Sequence, residues 1–215
     1  LRAQSFVCAQ RHGKYLGLNL SGGKWVVFHF SMTGELVCLS PSSDESRSTR
    51  LLIEVAGGSG LCDVGRRKLG MSAVATAFDS FIRSKNLGPD AFGIDGTTCQ
   101  ATLQAHRGAL KQALTNQSIM AGIGNVYSDE ILYQAHIRPM RSLKTLSDSE
   151  LQSVCRSTKR ILRVAIERRA EPERMPKSWM IPRRSKNQRC PRCGHRWNVC
   201  RIAGRSAYYC PICQH

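Results

Sequence analysis

Alternating apolar and polar positions dominate the first third of the chain and predict antiparallel strands. The alternation marks strands at Tyr15–Leu20, Trp25–Phe30, Leu36–Leu39 and Leu51–Val55. Ser21-Gly22-Gly23 predicts a tight turn between the first two strands, and the polar stretch Pro41–Arg50 predicts a loop between the last two. Consecutive antiparallel strands of this length form a meander, so residues 1–90 are expected to be a β-sandwich domain.

Helical periodicity replaces the alternation after a predicted linker at Pro89–Gly96. Helices are expected at Cys99–Leu114, Val126–Gln134 and Ser147–Arg168. In the first of them the apolar positions share one face, and Lys111 lies on another. Ser147 is placed to cap the last helix, with Glu150 three residues later as the second half of a capping box. Residues 97–180 are therefore expected to form a helical domain.

Four cysteines near the end of the chain form two Cys-x-x-Cys pairs, separated by sixteen residues. The pairs are Cys190 with Cys193 and Cys210 with Cys213. Each pair offers two thiolates from a tight turn, and the stretch between them is long enough for a β-hairpin, so one structural Zn²⁺ with four sulfur ligands is predicted. Two disulfides or four free thiols are the alternatives. Residues 183–215 are expected to fold as a zinc finger, with metal binding and folding as one event.

The remaining six cysteines show no spacing pattern and are interpreted as buried small apolar groups in a reducing cytosol. They are Cys8, Cys38, Cys62, Cys99, Cys155 and Cys200.

The charge of the chain indicates a polyanionic partner. Lys and Arg number 32 against 15 Asp and Glu, a formal net charge of +17. Nucleic acid is favoured over a membrane surface, because no long apolar run stands out. Basic and aromatic side chains also alternate between the two cysteine pairs, which suits phosphates and stacked bases. These residues are His195, Arg196, Trp197, Arg201, Arg205, Tyr208 and Tyr209.

Five motifs, read together with the cysteine pairs, carry a family resemblance. In order they are His12–Leu16, His29–Gly34, Arg67–Gly70, Gln117–Pro139 and Gly204–Gln214. The sequence resembles the formamidopyrimidine-DNA glycosylase and endonuclease VIII family of base-excision repair enzymes. The resemblance implies an α+β protein: an N-terminal antiparallel β-sandwich, a helix–two-turn–helix domain and a C-terminal zinc-finger β-hairpin. It further implies a bifunctional glycosylase and AP lyase that excises oxidised bases from double-stranded DNA, as a monomer in the cytoplasm or nucleoid, or in a eukaryotic nucleus.

The resemblance also assigns phosphate-binding residues. Asn125 follows two glycines at a predicted helix start, where its amide and nearby N–H groups can reach a phosphate; it could equally be only a helix cap. Arg205 matches the arginine that grips phosphates beside the damaged nucleotide. Lys111 matches a family lysine ahead of the two-turn element and is expected to bind DNA.

Met32, Arg67 and Leu69 resemble the trio that fills the gap left by an extruded base. The family often has Phe where Leu69 stands. The family also has an Asp two residues before the Arg of this trio. Gly65 stands at that position in this sequence, unless Asp63 fills the role of the Asp. Arg66 is therefore an alternative to Arg67.

Lys14 matches a lysine that approaches the abasic-site phosphate and assists catalysis. The family nucleophile is an N-terminal proline followed by glutamate, and no such pair opens this sequence at Leu1. We expect a Pro-Glu segment upstream of Leu1. The alternatives are a non-catalytic reader of DNA damage and a zinc-ribbon RNA-binding module.

Overall fold

The computed structural model describes residues 2–40 and 47–215, so Leu1 and most of the predicted Pro41–Arg50 loop lie outside the described residues. The chain divides into two compact units, residues 1–86 and 87–215. The sequence predicts three domains, because the zinc hairpin has its own spacing pattern. In the structure the hairpin and the helices belong to the same compact unit.

The first unit contains two antiparallel sheets. The larger sheet has the order β1-β2-β3-β7 and is built from β1 (Phe6–His12), β2 (Tyr15–Leu20), β3 (Trp25–His29) and β7 (Met71–Ala75). The smaller sheet has the order β4-β6-β5 and is built from β4 (Gly34–Leu39), β5 (Thr49–Glu54) and β6 (Gly60–Gly65). The four strands predicted from alternation correspond to β2, β3, β4 and β5 and are confirmed. The complete strands β1 and β7 were not predicted.

Alternation along the strands separates two packing faces. On one face Leu20, Val26 and Phe28 are buried, and apolar side chains of the smaller sheet pack against them. Those packing partners include Leu36, Leu51 and Ile53. On the opposite face a short helix, α1 (Phe78–Ser84), covers the larger sheet, with the Phe78 ring stacked on Trp25 at 5.4 Å between centroids. A Cβ at Gly17 would overlap the Phe78 ring, so only glycine permits this approach.

The second unit is helical up to its terminal hairpin. Its helices are α2 (Gly96–Gln104), α3 (Leu110–Thr115), α4 (Asn125–Gln134) and α5 (Asp148–Glu167). Its hairpin strands are β8 (Asn198–Ile202) and β9 (Arg205–Tyr209), and single 3₁₀ turns lie at Leu143–Thr145, Pro172–Arg174 and Ile181–Arg183. The predicted single helix at Cys99–Leu114 is wrong. The chain breaks into α2 and α3 because Gly108 adopts φ +94°, a conformation outside the helical range.

The long helix α5 organises this unit. Its capping box is confirmed, since the Ser147 hydroxyl accepts from the backbone N–H of Glu150 and the Glu150 carboxylate accepts from that of Ser147. Leu151, Val154 and Ile161 are buried as predicted, in a core shared with α2, α3 and α4. Among the described residues, no helix combines the length and the apolar character needed to cross a bilayer.

The interpretation of the six other cysteines as buried small apolar groups is wrong for three of them, because Cys8 and Cys38 are exposed and Cys200 is half-buried. Cys62, Cys99 and Cys155 are buried as expected. Cys99 of α2 and Cys155 of α5, however, form a disulfide across 56 positions of sequence, which the expected reducing environment did not predict. Packing of α2 on α5 brings these two together, which no local spacing reveals.

Candidate nucleic-acid interface and metal centre

The four terminal cysteines converge on one point. The sulfur atoms of Cys190, Cys193, Cys210 and Cys213 all lie within 4.8 Å of one another, and all four cysteines are free. The Sγ–Sγ distance is 3.9 Å from Cys190 to Cys213 and 3.4 Å from Cys193 to Cys210. A tetrahedral ion with Zn–S bonds of about 2.3 Å places its sulfurs about 3.8 Å apart. The alternative of two disulfides is thus contradicted, and the donor set fits one tetrahedral soft-metal site.

The surroundings of the cysteines favour a bound cation. The Tyr133 hydroxyl lies 3.3 Å from Cys190 Sγ, and the Trp197 ring packs edge-on against Tyr133 at 5.5 Å between centroids. Burial raises the pKa of Cys190, but hydrogen bonds from Tyr133 and from backbone N–H groups outweigh it and lower the pKa to about 7. Burial and the neighbouring sulfurs raise the pKa of Cys213. Four crowded sulfurs cannot all ionise without a positive charge between them.

The hairpin carries Arg205 immediately after its turn. Ile202 pairs with Arg205, so the connection is the two-residue turn Ala203-Gly204, with φ +48° and +74°. Positive φ at both positions is the geometry that matches the twist of a two-residue hairpin. Arg205 is exposed, and its Nη1 donates to the backbone oxygen of Thr115 over 3.4 Å. A cation is thereby held at the tip of the hairpin, beside the end of α3.

Asn125 is the first residue of α4, next to the N-cap Gly124. Gly122, two positions before that cap, adopts φ +113°, which requires glycine for the preceding turn. Within the part of the chain that the structure describes, the side-chain oxygen of Asn125 is buried and lacks a hydrogen-bond partner. A buried oxygen without a donor is costly to the folded state. Because this oxygen can only accept, a phosphate here would be bound by the side-chain NH₂ group of Asn125 and by the backbone N–H groups at the helix N-terminus.

Lys111 is placed differently from the sequence prediction. It is 1% exposed, its ammonium pairs with the Asp129 carboxylate, and it also donates to the backbone oxygens of Asn125 (3.4 Å) and Ser206 (3.3 Å). The predicted outward face is wrong because α3 is enclosed on nearly all sides. Burial lowers the pKa of Lys111, and Asp129 opposes that shift. The Lys111 ammonium is already bonded to three acceptors inside the protein, and its predicted contact with DNA stays a prediction.

Strand register brings the remaining predicted residues to one end of the first unit. Tyr15 pairs with His29, and His29 pairs with Met71, so the turn before β2, the segment after β3 and the loop before β7 share that end. The smaller sheet extends the same end, because Gly34 pairs with Gly65. The predicted residues on these connections are Lys14, Met32, Arg67 and Leu69.

All four of these side chains are exposed. Met32 is 71% exposed and Leu69 62%, which is unusual for large apolar residues and suits insertion into a partner. Arg66 is exposed as well as Arg67, so both candidates stay open. Asp63, the candidate substitute acid, is fully buried in β6, where it pairs with Arg50 and accepts from the Ser72 hydroxyl over 3.0 Å.

A pocket of about 380 Å³ opens at the same end. Its lining includes Lys14, Tyr15, Phe30 and Ser31. Burial lowers the pKa of the adjacent His29, and the Lys14 ammonium lowers it further. His29 is therefore neutral at pH 7, beside an exposed cation.

Sequence reasoning missed the residues that hold the hairpin to the helices. Arg138 Nε donates to the backbone oxygen of Gln214 (2.9 Å), and its Nη2 donates to that of Pro211 (3.0 Å). Arg184 Nε donates to Asp129 (2.8 Å). These partners are 55 or more positions apart in the sequence, and no spacing pattern could have indicated them.

Comparisons with known proteins agree with this geometry. The family model described as the formamidopyrimidine-DNA glycosylase N-terminal domain matches residues 1–72, and the model of the H2TH domain of the same enzyme matches residues 87–176. The formamidopyrimidine-DNA glycosylase of Pelotomaculum thermopropionicum is 31% identical, over 95% of this chain and 79% of its own length. That of Thermomicrobium roseum is 30% identical, over 100% and 83%.

Solved structures share the fold. The Lactococcus lactis enzyme in complex with DNA containing FAPY-dG superposes with a TM-score of 0.85 at 24% identity, over 98% of this chain and 82% of that one. The same enzyme in complex with DNA containing an abasic site gives the same TM-score, identity and coverage. The α+β architecture predicted from the sequence is thereby confirmed. From the matched domains and the relatives, this chain belongs to the formamidopyrimidine-DNA glycosylase family.

Proposed function

We propose that this protein binds double-stranded DNA at damaged or abasic sites and excises oxidised bases, with an AP lyase step, as a monomer acting at the nucleoid or in a eukaryotic nucleus. The observation that carries the proposal lies in the second unit. There Asn125, whose side-chain NH₂ group can donate to a phosphate, and the exposed guanidinium of Arg205 lie on two elements that Lys111 links, through its bonds to the Asn125 and Ser206 backbones. Two groups that can donate to phosphates within one compact unit suit a nucleic-acid backbone.

The four cysteines hold one structural zinc in this proposal. Cys190, Cys193, Cys210 and Cys213 fill all four positions of a tetrahedral ion, so no position is left for a water or a substrate. When bound, the metal would supply a crosslink between the two ends of the hairpin. The chain's own residues do the rest: the fixed hairpin presents Arg205, and Tyr133 orients Cys190.

The exposed residues of the first unit suit base extrusion. An enzyme that acts on a base must take it out of the stack, and apolar or cationic side chains can fill the gap that it leaves. Met32, Leu69 and Arg67 are exposed on adjacent connections. We assign them that role, and we assign Lys14 to a phosphate at the same end. The relatives solved with FAPY-dG and abasic DNA support this substrate class.

Covalent chemistry needs an amine that attacks the sugar C1′, releases the base and forms a Schiff base before elimination of the phosphate. The family resemblance assigns that amine to an N-terminal proline with glutamate beside it. We propose that an amine of this kind is the nucleophile and that Lys14 is not the attacking group.

Borohydride trapping on a duplex with one abasic site tests this assignment. The 215-residue chain is compared with a version that carries the N-terminal Pro-Glu segment of a relative. Both should bind the abasic duplex more tightly than undamaged duplex, and only the extended version should form a covalent adduct. Equal affinity for damaged and undamaged DNA would refute the function. Efficient trapping by the unextended chain, abolished by Lys14→Met, would move the nucleophile to Lys14.

The salt dependence of binding tests the interface itself. Arg205→Ala should weaken duplex binding and reduce the slope of log affinity against log salt by about 0.9, the loss of one phosphate contact. Arg163→Ala, at an exposed position of α5, changes the net charge equally and should leave the slope unchanged. An unchanged slope for Arg205→Ala would remove it from the interface.

The alternatives remain distinguishable by the same assays. A non-catalytic reader of damage would bind abasic duplex in both versions and trap in neither. A zinc-ribbon RNA-binding module would bind single-stranded RNA at least as tightly as abasic duplex.

A further inference from the structure

Asp129 of α4 is a fully buried carboxylate with an unusual number of donors. Its Oδ1 pairs with the Lys111 ammonium. Its Oδ2 accepts from Arg184 Nε at 2.8 Å, lies 2.6 Å from Arg184 Nη2, and accepts from the backbone N–H of Tyr208 at 3.1 Å. Two cations and one peptide group therefore share a single buried anion.

The donors come from three separate parts of the second unit. Lys111 belongs to α3, Arg184 follows the 3₁₀ turn at Ile181–Arg183, and Tyr208 belongs to β9. Two of them make second bonds to the same strand, because Lys111 Nζ and Arg184 Nη2 both donate to the Ser206 backbone oxygen, over 3.3 and 3.4 Å. The Arg184 guanidinium also covers the Tyr208 ring at 4.5 Å. The strand that begins with Arg205 is thus tied to α4 through one carboxylate.

The same cluster reaches the start of α4. Lys111 Nζ lies 3.4 Å from the backbone oxygen of Asn125, one turn before Asp129 on the helix. Buried ion clusters are weak contributors to stability, because desolvation offsets much of the attraction, and apolar replacements can be as stable. A hydrogen-bonded charge cluster does, however, fix the relative positions of the elements that it joins, because each N–H donor must point at its acceptor. The geometry fixed here is the placement of β9 on the N-terminal half of α4.

We propose that Asp129 is a positioning residue for DNA binding: it sets the distance between the Asn125 amide and the Arg205 guanidinium so that both can bind one nucleic-acid backbone. The proposal rests on the proposed function. Asp129 itself touches no substrate, and its effect is transmitted through Arg205.

Asp129→Asn tests the proposal, with Asp148→Asn as a matched control. Asp148 is exposed at the start of α5, so its replacement changes the net charge equally without touching the cluster. Asp129→Asn should keep one zinc per chain, because no cysteine is altered. It should weaken abasic-duplex binding about ten-fold, a change equivalent to about 1.4 kcal/mol, whereas Asp148→Asn should not weaken it.

A double-mutant cycle separates positioning from general loss of structure. In an Arg205→Ala background, Asp129→Asn should cost less than two-fold, because the group that it positions is already absent. A ten-fold loss in both backgrounds, or no loss in the native one, would overturn the proposal.

Amide hydrogen exchange provides a readout that does not depend on DNA. The Tyr208 N–H should exchange faster in Asp129→Asn while the amides around the cysteines keep their protection; unchanged exchange at Tyr208 would overturn the proposal. If the wild-type protein does not bind abasic DNA, the proposed function is refuted. The exchange rate of the Tyr208 N–H would still show whether Asp129 holds β9 on α4. Should Asp129→Asn not fold, Arg184→Gln removes one donor from a partly exposed position and should give the same pattern at smaller size.

Discussion

The disulfide between Cys99 and Cys155 gives a stability prediction whose size can be worked out. It joins α2 to α5 and closes a loop of 56 positions. In the chain-entropy treatment, such a crosslink lowers the entropy of the unfolded chain by about 14 cal/mol/K, which is about 4 kcal/mol at 25 °C. Cys99→Ala together with Cys155→Ala should therefore lower the unfolding free energy of the second unit by about 2–5 kcal/mol.

Urea denaturation under non-reducing conditions, followed by tryptophan emission, is the assay. A Trp25→Phe background removes the tryptophan of the first unit and leaves Trp179 and Trp197 to report on the second. Cys62→Ala is the control for loss of a buried sulfur without loss of a crosslink. Cys62 lies in the first unit, so Cys62→Ala should leave the unfolding transition that Trp179 and Trp197 report unchanged.

Alkylation and intact mass check the crosslink directly. The chain has ten cysteines, of which eight are free. Denatured, metal-stripped protein should therefore take up eight alkyl groups before reduction and ten after it. Ten before reduction, together with equal stability of the double variant and its parent, would refute the reasoning.

Three further predictions concern Glu130, the metal and Gly17. Burial raises the pKa of Glu130 to about 7, so the folded state disfavours the ionised carboxylate. The unfolding free energy that is lost for this reason grows from about 0.8 kcal/mol at pH 5 to about 3.3 kcal/mol at pH 8. The stability of Glu130→Gln relative to wild type should thus rise by about 2.5 kcal/mol between these pH values in urea melts; a pH-independent difference would contradict the shift. Chelation of zinc from loaded protein should red-shift tryptophan emission, because Trp197 packs against the metal-site residue Tyr133, and Trp197→Phe should lose most of that change. An unaltered spectrum after complete removal of metal would count against a structural site. Gly17→Ala should lower the unfolding free energy of the first unit by about 1–3 kcal/mol, because the new Cβ would overlap with Phe78. Gly96→Ala, where a Cβ meets open space, should change the unfolding free energy by less than about 0.5 kcal/mol. Equal effects of the two substitutions would show that the sheet and α1 shift to make room.

The sequence predicted those features that depend on local rules. Period-two alternation located β2 to β5, since each strand turns one face to the core and the rule acts residue by residue. The Ser147 and Glu150 pair located the start of α5 because both halves of a capping box lie within one turn. The cysteine pairs indicated the metal site for the same reason.

Features that depend on tertiary packing could not be predicted. The break between α2 and α3 escaped detection because a lone glycine is tolerated in helices, and only the backbone angle at Gly108 shows the turn. Lys111 was expected on a face away from the apolar positions of its helix, and nothing near it in sequence indicates that it pairs with Asp129. The partner of Cys99 likewise follows from helix packing and not from spacing.

Helix α4 shows how the satisfaction of polar groups separates structural from functional residues. Ser128, Asp129 and Glu130 are consecutive and fully buried, which an amphipathic helix does not allow. The reason is that the part of α4 from Ser128 to Tyr133 is enclosed by neighbours. Each has its bonds: Ser128 donates to the Asn125 backbone, Asp129 holds the cluster, and Glu130 accepts from the Ile181 N–H at 2.8 Å.

Among the described residues, the buried side-chain oxygen of Asn125, on the same helix, has no partner, and Asn125 is the residue that the family resemblance assigns to DNA. Asp63 also has one orphaned oxygen, but its other oxygen pairs with Arg50 and Ser72, so folding already accounts for its position. Because three neighbours of Asn125 are fully satisfied by the fold, its own deficit is not poor packing of the helix. It follows that Asn125→Ala, which removes an unsatisfied buried oxygen, should leave the unfolding free energy unchanged or raise it while it weakens DNA binding. A large loss of stability would make Asn125 a structural cap instead.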